Sequence, residues 1–191
     1  MEKIKMRFTG VAPMLMHNGH LVDPMNEWTR ERKKVTGKKG QKKTDADLIK
    51  LRWLEWRGSL YLNDKNRPCV PGDVIHAVLV AGARKARKGQ DVDAAILVEA
   101  PDFPLKYDGP TDIEKLYEDP RFVDVRGACV NAGRVMRSRP VFPKWSVDIE
   151  VSFDPTLVNR EDVVQAARAN GEQIGIGDYT PRFGRFLVQE I

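Results

Sequence analysis

The chain has 191 residues and a formal net charge of +5, with 41% hydrophobic and 31% charged residues. This composition excludes a disordered tail, and no apolar run approaches the roughly 18 residues that a membrane-spanning helix needs. We therefore expect one domain and no membrane partner. Cys69 and Cys129 are far apart in sequence, so neither a zinc ribbon nor a disulfide framework is expected. The N-terminus lacks a signal-peptide pattern, and we expect a cytoplasmic protein.

The positive charge is concentrated in one short segment. Residues 33–43 (KKVTGKKGQKK) carry six lysines and no acid, which exceeds the net charge of the whole chain. Clustered lysines in a glycine-containing loop can bind phosphate without a fixed geometry. The alternative is a solvated insertion with no ligand. The candidate phosphate-binding residues here are Arg30, Arg32, Lys33, Lys34, Lys38, Lys39, Lys42 and Lys43.

Hydrophobic periodicity predicts the elements of the first half. Residues 3–9 alternate strictly between basic and apolar side chains, which indicates a half-buried strand. A helix is predicted over 45–57, capped by Thr44 or Asp45. Residues 61–70 contain a turn-rich segment that indicates a short hairpin. The apolar stripe expected on the predicted helix consists of Leu48, Leu51, Trp53 and Leu54.

A second helix is predicted directly after Pro71-Gly72. The segment AAILVEA (94–100) is the candidate for the second strand of the core. Residues 145–153 alternate almost without fault and predict the third strand. A helix follows, capped by Asn159 with Val158 and Val163 as a hydrophobic staple. The sequence RFLVQ predicts the closing strand.

Without its insertions, the order of elements is strand, helix, strand, strand, helix, strand. This order predicts an α+β fold with a ferredoxin-like (RRM-like) core and an antiparallel sheet. A basic, partly helical insertion is expected at 27–58 and a projecting hairpin arm at 121–144. The first strand should lie beside the third, so that opposite charges pair across the open face. That face carries no aromatic side chain for base stacking; its expected residues are Lys3, Lys5, Arg7, Ser146, Asp148 and Glu150.

The predicted arm offers a second group of phosphate-binding residues. Extended strands would place Arg137 and Arg139 on one face, two residues apart, close to the spacing of successive phosphates. The tip is expected at 131–133, and the two legs carry Arg126 and Arg134. Arginine forks bind phosphate bidentately and stack on bases. The alternative is that these arginines pair with the acids of LYEDPRFVD.

The segment GIGDYTPRFGRF (residues 175–186) forms the third candidate. Gly175 and Gly177 would let the backbone approach a ligand, Tyr179 could stack on a base, and Arg182 and Arg185 could neutralise phosphate. The alternative is a tight helix-to-strand turn with its phenylalanine, Phe183, in the core.

Catalytic and metal-binding candidates are few. No serine, cysteine or paired carboxylate lies in a catalytic context, and no cofactor is expected. His17 and His20, with Asp23, could ligate a metal, but no third strong ligand has a supporting spacing. On the second predicted helix, His76 and Arg84 are candidate nucleic-acid contacts. A satisfied, partly buried histidine is the commoner outcome at a position like that of His76, and helix stability alone could explain the charge of Arg84.

Three segments together carry a family resemblance: the opening strand KIKMRFTGVAPMLM, the hairpin-to-helix segment RPCVPGDVIHAVLVAGARK and the near-terminal GIGDYTPRFGRFLV. They resemble the RAMP superfamily of CRISPR-associated RNA-binding proteins. Many relatives have basic residues where this chain has His76 and Val80, and the glycine loop lacks the denser glycines of guide-processing nucleases. The chain also resembles small stand-alone, phage-type relatives of the backbone subunits.

The resemblance implies a non-enzymatic protein that binds single-stranded DNA or RNA with little sequence preference. Backbone subunits assemble side by side, so the resemblance also implies a homo-oligomer or filament along the strand. One alternative is a phage interaction protein, an anti-CRISPR that imitates a backbone subunit and binds CRISPR effector subunits. A second alternative is a metal-dependent nuclease that uses the loop of His17 and His20.

Overall fold

The structure is a computed structural model that describes residues 1–38, 43–130 and 133–191. These residues form two compact units. Unit 1 contains Met1–Met14, Leu62–Gly109 and Phe142–Ile191, and unit 2 contains Leu15–Tyr61 and Pro110–Val141. Helices and antiparallel sheets make this an α+β protein, as the sequence predicts.

The helices and strands follow one another in an order that alternates between the two units. In chain order they are β1 (Glu2–Gly10), β2 (Met14–Leu15), α1 (Glu27–Thr36), α2 (Asp45–Ser59), β3 (Cys69–Pro71), α3 (Gly72–Ala83), α4 (Gly89–Ala95), β4 (Ile96–Leu97), β5 (Asp102–Tyr107), α5 (Ile113–Glu118), β6 (Val123–Val130), β7 (Gly133–Phe142), β8 (Trp145–Phe153), α6 (Arg160–Gln173) and β9 (Phe186–Glu190).

The sheet of unit 1 has the strand order β3-β5-β8-β1-β9, and β4 pairs with β8 as well. All of these pairs are antiparallel. β1 lies beside β8, which confirms the expected neighbourhood of the first strand and residues 145–153. The register places Lys5 opposite Glu150 and Arg7 opposite Asp148. The period-2 pattern of both strands determines this register, because a slip of one residue would expose the apolar side chains.

One face of this sheet is apolar and is covered by α3 and α6. Met6, Phe8 and Val147 are fully buried on it. The two helices pack closely because Gly82 has no side chain; a Cβ there would lie 1.8 Å from the Ala166 carbonyl oxygen. The Asn170 side chain donates a hydrogen bond of 2.9 Å to the Val78 carbonyl. The covered face is the hydrophobic core of unit 1.

The prediction for the second strand was wrong in position. β5, at Asp102–Tyr107, is the longer neighbour of β8, and Leu105 lies opposite Val147. Of the segment 94–100, only Ile96–Leu97 pairs with β8, and its first residues end α4. The continuous apolar run of residues 94–100 suggested a buried strand. β5 instead alternates between buried and exposed side chains, which is typical of a strand in a sheet that is covered on one face.

Unit 2 contains α1, α2, α5 and a sheet of order β2-β7-β6. The N-terminus of α2 is held by a capping box of Thr44 and Asp47. The expected stripe on α2 was wrong in its first half, since Leu48 is 45% exposed. Burial begins at Leu54 and includes Trp56, whose Nε1 donates a hydrogen bond of 2.8 Å to the Phe122 carbonyl.

β6 and β7 form an antiparallel hairpin inside the segment expected to be an arm. Arg126 lies opposite Arg137, and Asp124 lies opposite Arg139. The expected tip includes Asn131 and Ala132, which lie outside the described residues.

Within the described ranges, no helix combines the length and the apolar character needed to cross a bilayer.

Candidate nucleic-acid interface

The open face of the unit 1 sheet is covered by ion pairs. Asp148 accepts hydrogen bonds from Arg7 Nε at 2.6 Å and Nη2 at 2.8 Å, and from Lys106 Nζ at 2.6 Å. Glu150 lies 3.2 Å from Lys3 Nζ and 3.1 Å from Lys5 Nζ. The cross-strand charge pairing predicted for this face is therefore confirmed. These cations already have carboxylate partners, which makes the open face a poor phosphate-binding surface.

The charges on the open face shift the pKa of its acids. Hydrogen bonds from Arg7, and then from Lys106, hold the pKa of Asp148 well below its usual range.

The outward residues of β1 and β8 include no aromatic side chain, so this part of the sheet offers no stacking platform.

The segment between α6 and β9, which we call the glycine loop (Gly175–Arg185), is a tight and well-bonded turn. Gly175, Gly177 and Gly184 have φ values of 94°, 88° and 75°. The Ile176 N–H donates to the Gly184 carbonyl at 2.9 Å, and the Gly184 N–H donates to the Pro13 carbonyl at 2.8 Å. Phe183 is only 9% exposed. The inner side of the loop is therefore structural, as the alternative interpretation holds.

The outer side of the glycine loop carries polar and aromatic groups together. We call Tyr179, Arg182 and Arg185 the loop rim. Tyr179 is 45% exposed and packs edge-on against Phe183, with ring centroids 6.0 Å apart. Arg182 and Arg185 are exposed, and the Arg185 Nε donates to the Pro181 carbonyl at 3.0 Å. The rim offers a ring face and two guanidinium groups on a backbone that the inner hydrogen bonds hold in place.

The β1–β2 turn extends this surface. The Val11 N–H donates to the Arg185 carbonyl at 2.9 Å, and Val11 is 61% exposed. The turn is itself anchored, because Trp145 Nε1 donates to the Ala12 carbonyl at 2.9 Å. The backbone of an exposed apolar residue is therefore bonded to the backbone of Arg185 in the loop rim.

A separate basic groove lies beside α3. Its volume is about 240 Å³, and Val80, Arg84, Arg87 and Asp93 are among the residues that line it. His76 Nε2 is 3.5 Å from Asp93 Oδ1. The groove brings the predicted Arg84 together with Arg87, which is not among the binding residues that the sequence predicts.

The groove and the glycine loop lie at opposite ends of α6. Lys88, which precedes α4, forms an ion pair of 2.7 Å with Asp162 in the first turn of α6, whereas the glycine loop follows the C-terminus of α6. A helix of 14 residues is about 21 Å long. Unit 1 therefore does not bring Arg84 and the loop rim into one site.

The lysine segment begins as a helix and not as a loop. Lys33 and Lys34 lie in the last turn of α1, where cations stabilise the helix dipole. Lys34 pairs with Glu31, and Lys38 Nζ lies 2.7 Å from Asp47 Oδ1. Arg30 Nη2 donates to Met25 Sδ at 3.1 Å. Lys43 is exposed, and Lys39 and Lys42 lie outside the described residues.

Two of the hairpin arginines, Arg126 and Arg137, are held by carboxylates. Arg126 pairs with Asp124, one of the acids named in the alternative interpretation. Arg137 pairs instead with Glu55 of α2, a partner that the sequence did not indicate. Arg139 is 9% exposed, and the Arg134 side chain lies outside the described part of the chain. Phosphate binding by Arg137 would therefore require exchange with a carboxylate.

The two histidines of the metal hypothesis contact α2. One His20 ring nitrogen lies 2.7 Å from the Gly58 carbonyl oxygen, and His17 Nδ1 lies 3.4 Å from Ser59 Oγ. Among the residues that the structure describes, no group of three or more His, Cys, Asp or Glu side chains could hold a metal ion. Burial raises the pKa of the Cys69 thiol to about 12, which disfavours the nucleophilic thiolate.

Comparison with known proteins adds no assignment. No protein-family model matches the sequence, and no curated protein matches it. Interpretation of the site therefore depends on its geometry.

Proposed function

We propose that the protein binds single-stranded DNA or RNA without catalysis and with little sequence preference. The observation that carries this proposal is the loop rim, where Tyr179, Arg182 and Arg185 are exposed on one anchored turn. An aromatic face with neighbouring cations is the usual means of binding a single strand through any base. The proposed roles are stacking for Tyr179 and phosphate neutralisation for the two arginines.

The remaining candidate residues differ in how directly they would contact phosphate in this proposal. Lys33, Lys43 and the neighbouring lysines supply a diffuse positive field that attracts the backbone. Arg84 and Arg87 supply a separate phosphate contact at the groove. Arg126 and Arg137 contribute only after exchange of their carboxylate partners. The loop rim is therefore the first place to test.

The strand order supports a relation to the RAMP superfamily. The strand order β9-β1-β8-β5, with α3 after β1 and α6 after β8, is compatible with a ferredoxin-like core and supports this part of the proposal. The relation implies assembly of identical subunits along the strand in the cytoplasm. If the protein is instead a phage interaction protein that imitates a backbone subunit, its partners are CRISPR effector subunits.

The test is a titration with matched single-stranded DNA, single-stranded RNA and duplex of mixed sequence at two salt concentrations. We expect both single strands to bind more tightly than the duplex, because a base cannot stack on Tyr179 while it is paired. Changing the base sequence of the single strand should alter affinity only slightly. If the protein bound none of these three nucleic acids, the proposal would be overturned and the interaction protein would be favoured.

A further inference from the structure

The basic groove beside α3 lies wholly within unit 1 and combines several kinds of chemistry. Arg84 and Arg87 supply two cations, Asp93 a carboxylate and Gln90 an amide. Val80, which is 5% exposed, adds an apolar contact. The volume of about 240 Å³ lies just below the roughly 300–1,000 Å³ of pockets that hold drug-sized ligands. The groove therefore has room for a small polar molecule.

The two cations of the groove are available to a ligand. Arg84 and Arg87 are exposed, and neither has a carboxylate within ion-pair distance among the residues that the structure describes. The acid of the groove, Asp93, instead lies 3.5 Å from His76 Nε2. Guanidinium forks match the oxygen geometry of phosphate and bind it bidentately. The groove therefore offers two such forks to one anionic group.

The turn between α3 and α4 holds both arginines in position. Arg87 has a φ of 62°, which is uncommon for a residue other than glycine, and its N–H donates to the Arg84 carbonyl at 3.1 Å. The Arg84 stem lies over Gly89, where a Cβ would be 2.5 Å from Arg84 Cγ. The ion pair of Lys88 with Asp162 ties the end of the turn to α6. The arginines thus project from an anchored backbone, which reduces the entropy lost on binding.

The acid and the amide of the groove select the molecule that carries the anionic group. An ionised carboxylate only accepts hydrogen bonds, so Asp93 requires a donor from the ligand and repels a phosphate alone. A sugar hydroxyl next to a phosphate is such a donor. Gln90 lies three residues before Asp93 on α4, on the same helix face, and its amide can both donate and accept. The lining therefore suits a phosphate with a hydroxyl-bearing sugar attached to it.

We propose that the groove binds the terminal phosphate monoester of a nucleotide, with Arg84 and Arg87 on the phosphate and Asp93 on a sugar hydroxyl. A monoester carries about 1.5 to 2 negative charges at neutral pH, whereas an internal phosphate of a strand carries one, so two unpaired arginines favour the monoester. The nucleotide is either free or the phosphorylated end of a strand. In the second case the inference rests on the proposed function and gives strand binding a preference for that end.

The test is an NMR titration with adenosine 5′-monophosphate, adenosine and inorganic phosphate, followed through the amide signals of residues 84–93. We expect the monophosphate to bind more tightly than either of its parts and to leave the glycine loop unshifted. Asp93→Ala should lower the affinity for the monophosphate relative to that for inorganic phosphate, because it removes the sugar contact together with the repulsion. Inorganic phosphate that binds as tightly as the monophosphate would overturn the proposal.

Three further variants make the test specific. Arg84→Gln, which keeps Cγ over Gly89, and Arg87→Asn, which tolerates a positive φ, should each weaken monophosphate binding by about fivefold, the upper end for an exposed charged contact. Lys85→Gln removes the same charge from the exposed position next to Arg84 and should keep the affinity. Equal losses in Lys85→Gln and Arg84→Gln would overturn the proposal, as would the absence of any shift in residues 84–93 at millimolar monophosphate.

A second arm identifies the source of the nucleotide. It compares one short single strand with and without a 5′-phosphate. Tighter binding of the phosphorylated strand, lost in Arg84→Gln, supports the strand end; monophosphate binding without this difference supports the free nucleotide. Failure of the proposed function is recognised separately, because Tyr179→Ala tests strand binding by the loop rim and should leave monophosphate binding unchanged.

Discussion

Gly184 shows why the glycine loop can carry a rigid binding surface. Its φ of 75° is in the left-handed region, and a Cβ there would lie 1.7 Å from the Ile176 carbonyl oxygen. Only glycine fits such an approach of two backbone segments. The rim side chains therefore project from a backbone that is determined before any ligand arrives, which reduces the entropy lost on binding.

Tyr179→Ala tests the stacking role at this scale. If a base stacks on the ring, the substitution should weaken single-strand binding by about 1–3 kcal/mol. The Tm should fall little, since Tyr179 is 45% exposed and packs edge-on against Phe183. Fluorescence titration of a labelled single strand measures the first effect and thermal unfolding the second. Wild-type affinity in Tyr179→Ala would show that the ring has no stacking role.

At the scale of elements, alternation and capping signals were reliable. The pattern of β1 and β8 predicted both strands and the pairing of their charges, and Asn159 caps α6 as expected. Local sequence patterns do not indicate which residues far apart in the chain will contact each other. The pair of Arg137 and Glu55 joins residues 82 positions apart, and no local pattern indicates such a partner. For the same reason the sequence placed Arg137 on a free surface.

The lysine segment is the element whose role depends least on precise geometry. Replacing Lys38, Lys39, Lys42 and Lys43 with alanine should weaken binding and flatten its salt dependence. Each lost phosphate contact should reduce the single-strand salt slope by about 0.7. The Tm should change little, because Lys38 and Lys43 are exposed and substitutions of exposed residues usually alter stability by less than about 0.5 kcal/mol. An unchanged salt slope would identify the segment as a solvated insertion.

The ion pairs between β1 and β8 predict a dependence of stability on pH. The pKa of Asp148 is lowered in the folded state, so its contribution is complete above the unfolded pKa of about 3.9 and is lost as the pH falls. Asp148→Asn should lower the free energy of unfolding at pH 7 by about 0.5–1 kcal/mol, with allowance for solvent exposure. It should also reduce the decline of stability between pH 5 and pH 3.

Denaturant unfolding at several pH values measures this effect. Asp64→Asn is the matched control, since Asp64 is an exposed turn residue with no ion pair among the described residues. An Asp148→Asn variant with the same pH profile as wild type would show that the pairs on the open face do not stabilise the sheet.

For the whole molecule, we expect assembly along a strand. Backbone-type proteins of the proposed family bind side by side, so complexes with oligonucleotides of increasing length should gain mass in steps of one subunit. Light scattering at a fixed ratio of protein to nucleotide measures the mass. A one-to-one complex at every length would exclude the filament and leave single-strand binding by the loop rim in place.

The distribution of cations in unit 1 permits the most direct test of the central claim. Arg182 and Arg185 are exposed on the loop rim, whereas Lys3 and Lys5 pair with Glu150 on the open face. Both double alanine variants remove two positive charges. If both variants bind the same single-stranded oligonucleotide, their salt slopes should therefore differ only if the position of the lost charges matters. We expect Arg182→Ala/Arg185→Ala to reduce the slope by about 1.4 and Lys3→Ala/Lys5→Ala to leave it near the wild-type value. Equal slopes in the two variants would contradict the assignment of the loop rim as the nucleic-acid interface.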